Sequence, residues 1–376
     1  MGGIYLHIPF CRKACTYCDF HFSTNLSKQK ELVVALQEEI RLRKAEIQSL
    51  GNLRTLYFGG GTPSILNKEE ISSLIQEIRN LLPFSEDIEI TLEANPDDLK
   101  EAYLHELREI GVNRLSIGTQ SFSDEVLKWM NRSHDAAQSI DAIKAARLAG
   151  FDNFSCDLIF GNPFTDEKIW EADVQHLLAL KPPHISAYSL TVEEKTLLFH
   201  QLNKEQIDLP TEEVYQKQYL KAHDLFTQAG YEHYELSNYA LPGYRSKHNS
   251  AYWDGLAYVG IGPSAHSYDG NRRSWNVANN SKYLKLLAGG KPATEEEEIL
   301  TEKDRYHEYL MTQLRKEDGI DIRYIQKHWI NNWKNRFRPQ IQEMQEADWI
   351  EIKHDRLAIR PQSWLLSNQI IREFFL

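Results

Sequence analysis

Cys11, Cys15 and Cys18 are separated by three residues and then two, a spacing that lets one short loop turn three thiols toward a common point. Thiolates are the usual ligands of iron–sulfur clusters. Three of them on a four-iron cluster leave one iron without a protein donor. Such an iron can chelate the amino and carboxylate groups of S-adenosylmethionine, and an electron passed through the cluster can then cleave the sulfonium to a 5′-deoxyadenosyl radical. The competing chemistry is a zinc site with His7 or His21 as the fourth ligand, because structural zinc also takes cysteines from short loops. A disulfide framework is excluded: the chain has 4 cysteines, three of them in this loop. The fourth, Cys156, lies in an apolar run and reads as a small core residue.

The elements that must carry this loop alternate between short β-rich runs and longer amphipathic ones. Strands are expected at Ile4–Pro9, Thr55–Phe58, Ile88–Ala94, Arg114–Gln120, Phe154–Phe160 and Ile185–Leu190. Helices are expected over Lys28–Leu50, Lys68–Leu82, Ala136–Ala149, Ile169–Leu180 and Glu212–Ala229. This alternation predicts parallel strands joined by crossover helices, in an α/β fold. Six units fall short of the eight of a closed TIM barrel, so a partial (β/α)6 barrel follows. The cysteine loop then sits at the C-terminal end of the first strand, where such folds place their sites.

We divide the chain into a barrel over residues 1–235, an aromatic-rich extension over 236–290 and a C-terminal unit over 291–376, with Glu295–Glu298 as the linker. The last unit combines helices near Glu302–Arg315, Ile322–His328 and Gln340–Gln345 with a hairpin over Trp349–Ile352 and Leu357–Ile359. That pattern suggests a winged-helix-like α+β domain. Net charge is −11, from 54 acidic and 43 basic residues, which argues against nucleic acid as the main partner. The short basic cluster Lys334, Arg336 and Arg338 reads as a solvated face. No apolar run reaches membrane-spanning length and the opening residues lack signal-peptide features, so a reducing cytoplasm is the expected compartment.

Over nearly its whole length the sequence resembles the radical S-adenosylmethionine superfamily, and within it the oxygen-independent coproporphyrinogen dehydrogenase family. The resemblance rests on the cysteine loop and on Gly59-Gly60-Gly61-Thr62-Pro63, Glu93-Ala94-Asn95-Pro96, Ser116-Ile117-Gly118-Thr119-Gln120-Ser121-Phe122 and Asp157-Leu158-Ile159-Phe160-Gly161-Asn162-Pro163. It implies a [4Fe–4S] cluster on Cys11, Cys15 and Cys18. It also implies S-adenosylmethionine contacts from Gly60, Gly61 and Thr62 to the amino group, from Arg132 to the carboxylate, from Gln120 and Asp157 to the ribose, and from Glu93 and Tyr5. Residue chemistry agrees: glycines let backbone carbonyls approach an ammonium, and arginine offers a planar, permanently charged donor. Read alone, Arg132 would be a surface arginine, Glu93 a rim ion pair and Tyr5 a strand aromatic.

Two departures direct the finer assignment. Phe20 stands where the porphyrinogen dehydrogenases carry a fourth cysteine, and the chain opens almost directly into the first strand, where they carry an extension. Both features resemble the haem chaperone branch, whose further signature is present as His248-Asn249-Ser250-Ala251-Tyr252-Trp253. The branch implies haem as cargo, with His248 as axial ligand to its iron and Tyr252 and Trp253 against the macrocycle. It further implies haem-accepting proteins such as respiratory enzymes, an electron donor, a homodimer and peripheral membrane association. Relatives also use the C-terminal domain to cover the barrel mouth. In the structural reading of the same motif, His248 caps a strand and the aromatics fill core. His266 is a second imidazole whose shared segment favours a structural role. A radical oxidoreductase, such as the porphyrinogen dehydrogenase itself, is the alternative function.

Overall fold

The computed structural model describes residues 2–376. Strands β1 (Gly2–Ile8), β2 (Leu53–Gly60), β3 (Phe84–Ala94), β4 (Arg114–Gln120), β5 (Phe154–Phe160) and β6 (His184–Ser189) pair in chain order, all parallel. Side chains alternate between two faces along each strand. One face is apolar and buried against the helices, with Ile4, Leu6 and Ile8 from β1, Leu56 and Phe58 from β2, and Leu115 and Ile117 from β4. The other face lines the barrel and is polar: Tyr5, His7, Tyr57, Glu93, Arg114, Asp157 and Tyr188. Glu93, Ser116, Ser155 and His184 stand in one row across β3 to β6.

Helix starts are written locally. Asn67 with Glu70 and Asp135 with Gln138 form capping boxes that open helices Lys68–Arg79 and Ala136–Leu148. The expected single helix over Lys28–Leu50 is instead two, Gln29–Leu42 and Lys44–Ser49. The break falls at Arg43, whose guanidinium donates to Glu39, Glu46 and the Gly260 carbonyl. A tertiary contact thus overrides the helical pattern.

The sheet continues beyond the barrel at both ends. Antiparallel strands β7 (Glu232–Glu235) and β8 (Asn238–Ala240) follow β6. Next to β1 lie parallel β9 (Tyr258–Ile261), then β10 (His266–Tyr268), β11 (Arg272–Asn276) and β12 (Thr294–Ile299). The order β12-β11-β10-β9-β1-β2-β3-β4-β5-β6-β8-β7 leaves β12 and β7 as free edges, so the barrel is open. Residues 236–290 accordingly form no separate layer and extend both ends of one sheet. Glu295–Glu298 is not a linker but most of edge strand β12. Its exposed carboxylates, two of them paired with Lys282 and Arg272, discourage edge-to-edge pairing with another chain.

The C-terminal unit packs helices Glu302–Gln313, Ile322–His328 and Arg338–Glu346 on a small antiparallel sheet of β13 (Ile320–Asp321), β14 (Ile350–Lys353) and β15 (Arg356–Ile359), ordered β13-β15-β14. It does not lie over the cysteine mouth as expected. Its polar contacts run to the opposite side, from Gln313 to the Trp253 carbonyl, Lys316 to Asp254 and Glu317 to Arg245. Among the described residues no helix is long and apolar enough to cross a membrane.

Candidate functional site

The cysteine loop leaves β1 at the C-terminal end of the barrel and is tied down by backbone bonds: Cys11 N to Ser23 O, Thr16 N to Met130 O and Leu198 N to Thr16 O. Two side chains reach its sulfurs. Thr62 donates to Cys11 Sγ at 3.4 Å, and Arg132 donates to Cys15 Sγ at 3.3 Å. Burial holds the Cys11 thiol above its usual range and pushes Cys18 up to about 12. Proton loss at these thiols therefore depends on a cation or metal beside them.

Of the two histidines that a zinc site could use, His7 has both ring nitrogens engaged and His21 has one. His7 Nδ1 pairs with the Tyr5 hydroxyl at 3.1 Å and its Nε2 with the His21 carbonyl at 2.8 Å, while His21 Nε2 pairs with Asn280 at 2.7 Å. Among the described residues no three His, Cys, Asp or Glu side chains converge on one ion position.

Around the loop, the strand ends bring most of the expected cofactor residues together. Arg132 Nη2 donates to Asn95 Oδ1 at 2.7 Å and to the Gly118 carbonyl at 2.9 Å, so its guanidinium is fixed at the mouth rather than on the surface. Glu93 accepts from Tyr57 OH at 2.8 Å and from the Gly60 amide at 3.1 Å. Burial pushes Glu93 up to about 7, with the Asp157 charge adding to it. Burial likewise raises Asp157 to about 6. Gln120 ends β4 with a φ of 65°, a left-handed turn that is uncommon outside glycine and recurs at functional positions.

Three buried polar atoms of this ring have no partner within the protein: Gln120 Oε1, Asp157 Oδ1 and Arg132 Nε. Buried polar atoms are normally satisfied by protein, water or ligand, so each of these three has capacity for a further partner. An acceptor amide, a carboxyl oxygen and a guanidinium N–H suit the hydroxyls and carboxylate of S-adenosylmethionine, so the residues present fit that cofactor.

The glycine run has a further physical role that the sequence did not reveal. A Cβ at Gly59 would stand 2.9 Å from both Tyr5 and Tyr57 and 3.0 Å from Glu93 Oε1, and one at Gly60 would strike the His7 ring. Gly60 also has a φ of 108°, which side chains rarely adopt. Tyr5 lies under this run, inside the barrel. Tyr57 and Asn95 were missed by sequence reasoning. The signal available for Tyr57 was its period-two offset from Gly59, and for Asn95 its place in the quoted motif.

The HNxxYW segment lies elsewhere. Helix Lys247–Trp253 closes the N-terminal end of the barrel, opposite the cysteines, with its first amides donating to Glu89. His248 points inward and is 3% exposed. Its Nδ1 pairs with Thr55 Oγ1 at 2.8 Å and its Nε2 with Tyr252 OH at 3.2 Å, while its ring stacks on Tyr57 at 4.7 Å. Burial pushes its pKa down to about 3, so the imidazole is neutral. Tyr252 and Trp253 are half-buried, and His266 is exposed beside Trp275 on the β10–β11 hairpin.

Comparison with known proteins gives the family of the chain. Residues 5–173 match the model of the Radical SAM superfamily and residues 300–366 that of the HemN C-terminal domain. The heme chaperone HemW of Lactococcus lactis subsp. lactis (strain IL1403) is 33% identical over 376 residues, covering 100% of this chain and 97% of the relative. HemW of Bacillus subtilis (strain 168) is 34% identical, covering 100% and 99%. The structure of coproporphyrinogen III oxidase (HemN) from Escherichia coli superposes with a TM-score of 0.84 at 24% identity, over 99% of this chain and 89% of that one, which establishes the shared fold. On full-length identity, fold and domain order, the chain belongs to the HemW family of the radical SAM superfamily.

Proposed function

We propose that this protein is a haem chaperone of the cytoplasm: it binds haem and passes it to haem-accepting proteins, respiratory enzymes among them. The observation that carries the reading is the full-length kinship to proteins named heme chaperones, together with Phe20 after the cysteine loop and the complete His248–Trp253 motif. In this reading Cys11, Cys15 and Cys18 hold a [4Fe–4S] cluster, and Gly60, Gly61, Thr62, Glu93, Gln120, Arg132 and Asp157 form the S-adenosylmethionine site. When bound, that pair supplies one-electron chemistry at a sulfonium. The chain's own contribution is to position: Arg132 ties Asn95 and Gly118 to the Cys15 sulfur, and Tyr57 orients Glu93. In this reading His248 would supply a nitrogen to the haem iron, with Tyr252 and Trp253 beside the macrocycle.

The test is anaerobic reconstitution with iron and sulfide, then a haem titration followed by absorption. About four irons per chain and near-stoichiometric haem, most of it lost in His248→Ala, is the expected result. One zinc per chain and no haem binding would overturn the reading. The unpartnered Gln120, Asp157 and Arg132 atoms favour a retained cofactor site and so support a second reading, a radical oxidoreductase. Turnover of coproporphyrinogen III by the reconstituted protein would establish it.

A further inference from the structure

His248 is closed to any ligand in this structure. Neutral imidazole carries one N–H and one lone pair. With the proton on Nδ1 facing Thr55, the lone pair that an iron would take on Nε2 is held by the Tyr252 hydroxyl. The residue that blocks the nitrogen lies four positions along the same helix, in edge-on contact with the His248 ring at 4.9 Å.

Apart from His248, helix Lys247–Trp253 is only half-buried. His248 is its one fully buried residue. On one side the helix borders an open cleft lined by Thr55, Ser250, Ala251 and Leu256 and by charged side chains such as Arg54 and Asp254. Its other ties include Glu89 to the first amides, Lys247 to Asp87, Gln313 to the Trp253 carbonyl, Asp254 to Lys316, and the edge-on packing of Tyr252 on Tyr258 at 4.5 Å. Gly243 and Gly255 flank it, each in a left-handed conformation with no atom within 4 Å of an added Cβ. Segments with few buried apolar contacts open at low free-energy cost.

We propose that Tyr252 is an internal competitor for His248, and that haem is captured only when helix Lys247–Trp253 turns outward about Gly243 and Gly255, which breaks the Thr55 bond, and the Tyr252 side chain swings off Nε2. The inference rests on the reading of His248 as the haem ligand. It adds a closed, self-occupied state that haem must displace, so apparent affinity is lowered by the fraction of molecules closed.

The sign of two substitutions decides it. Tyr252→Phe keeps the aromatic face and removes the competing hydroxyl. Thr55→Val removes the other hydrogen bond at nearly constant shape. If the closed form is the binding form, either change loosens the ligand and weakens binding. If it is a latch, Thr55→Val favours the open form and Tyr252→Phe frees Nε2 of its competitor, so either change tightens haem binding, by about two- to tenfold for one neutral hydrogen bond. The experiment is an absorption titration of the full-length protein with haem, for wild type, both variants and His248→Ala, with folding checked by circular dichroism. Hydrogen exchange across residues 247–253 of the wild type is followed with and without haem. Tighter binding in both variants and faster exchange on haem addition are expected. Unchanged or weaker binding in either folded variant, or undiminished protection of the helix in the haem complex, would overturn the latch. Unchanged binding in His248→Ala would instead remove the ligand assignment on which the latch rests.

Discussion

Glu39 tests how the extension is fastened to the barrel. It sits on helix Gln29–Leu42, is 1% exposed, and accepts from Gly262 N at 2.8 Å, Asn276 Nδ2 at 2.7 Å, Tyr283 OH at 2.6 Å and Arg43 Nη1 at 3.2 Å. Glu39→Ala leaves two donors fully orphaned, the Gly262 amide and the Tyr283 hydroxyl. Asn276 keeps the Gly262 carbonyl, and Arg43 keeps Glu46 and Gly260. At about 1–3 kcal/mol for each orphan the loss is about 2–6 kcal/mol, centred where breaking a buried ion pair falls, about 3–5. Glu39→Gln retains one acceptor oxygen and should cost roughly half as much. Urea denaturation of both variants measures the loss, and limited proteolysis should locate the first new cuts between residues 262 and 290. A loss in Glu39→Ala of less than about 1 kcal/mol, or first cuts within β2 to β6, would refute the view that this carboxylate pins the extension.

Gly59→Ala places a methyl against Tyr5, Tyr57 and Glu93; it should cost about 1–3 kcal/mol by overpacking, read from urea melts, and weaken S-adenosylmethionine binding in equilibrium dialysis. Glu93 tests the electrostatics of the mouth. Its folded-state pKa of about 7 lies above the ordinary 4.5, so the folded state holds the proton more tightly. Its stabilising contribution is full below pH 4.5 and is lost as pH rises through about 7. Glu93→Gln should therefore stabilise the unloaded protein, on the order of 2 kcal/mol, near pH 8 and far less near pH 4.5, and equal effects at the two pH values would contradict the assignment.

The fold class was legible because its signals are local. Strands Arg114–Gln120 and Phe154–Phe160 appear with the bounds their apolar runs suggest, and capping residues Asn67 and Asp135 mark helix starts. Short elements were missed: helices Glu101–Glu109, Asp124–Trp129 and Leu197–Asn203 are too brief to impose a clear period. Glu295–Glu298 read as a linker because four adjacent carboxylates cannot show the alternation of a strand, yet an edge strand tolerates charge on both faces.

The sequence by itself located the cysteine loop and the four motifs around the mouth, because the three cysteines are close in the chain and each of those motifs stands at the end of a strand of the same parallel series. Tertiary structure decided where the imidazole went. Thr55 and His248 are 193 residues apart in sequence, and Glu39 and Asn276 are 237 apart. Pairings over such distances are set by strand order and register, to which local propensity and spacing are blind. A histidine followed by aromatics looks the same in a one-dimensional string whether it faces solvent or the inside of a barrel. The pairings of β8 with β6 and of β9 with β1 draw helix Lys247–Trp253 across the barrel's N-terminal end, where His248 turns inward onto Thr55, Tyr57 and Tyr252.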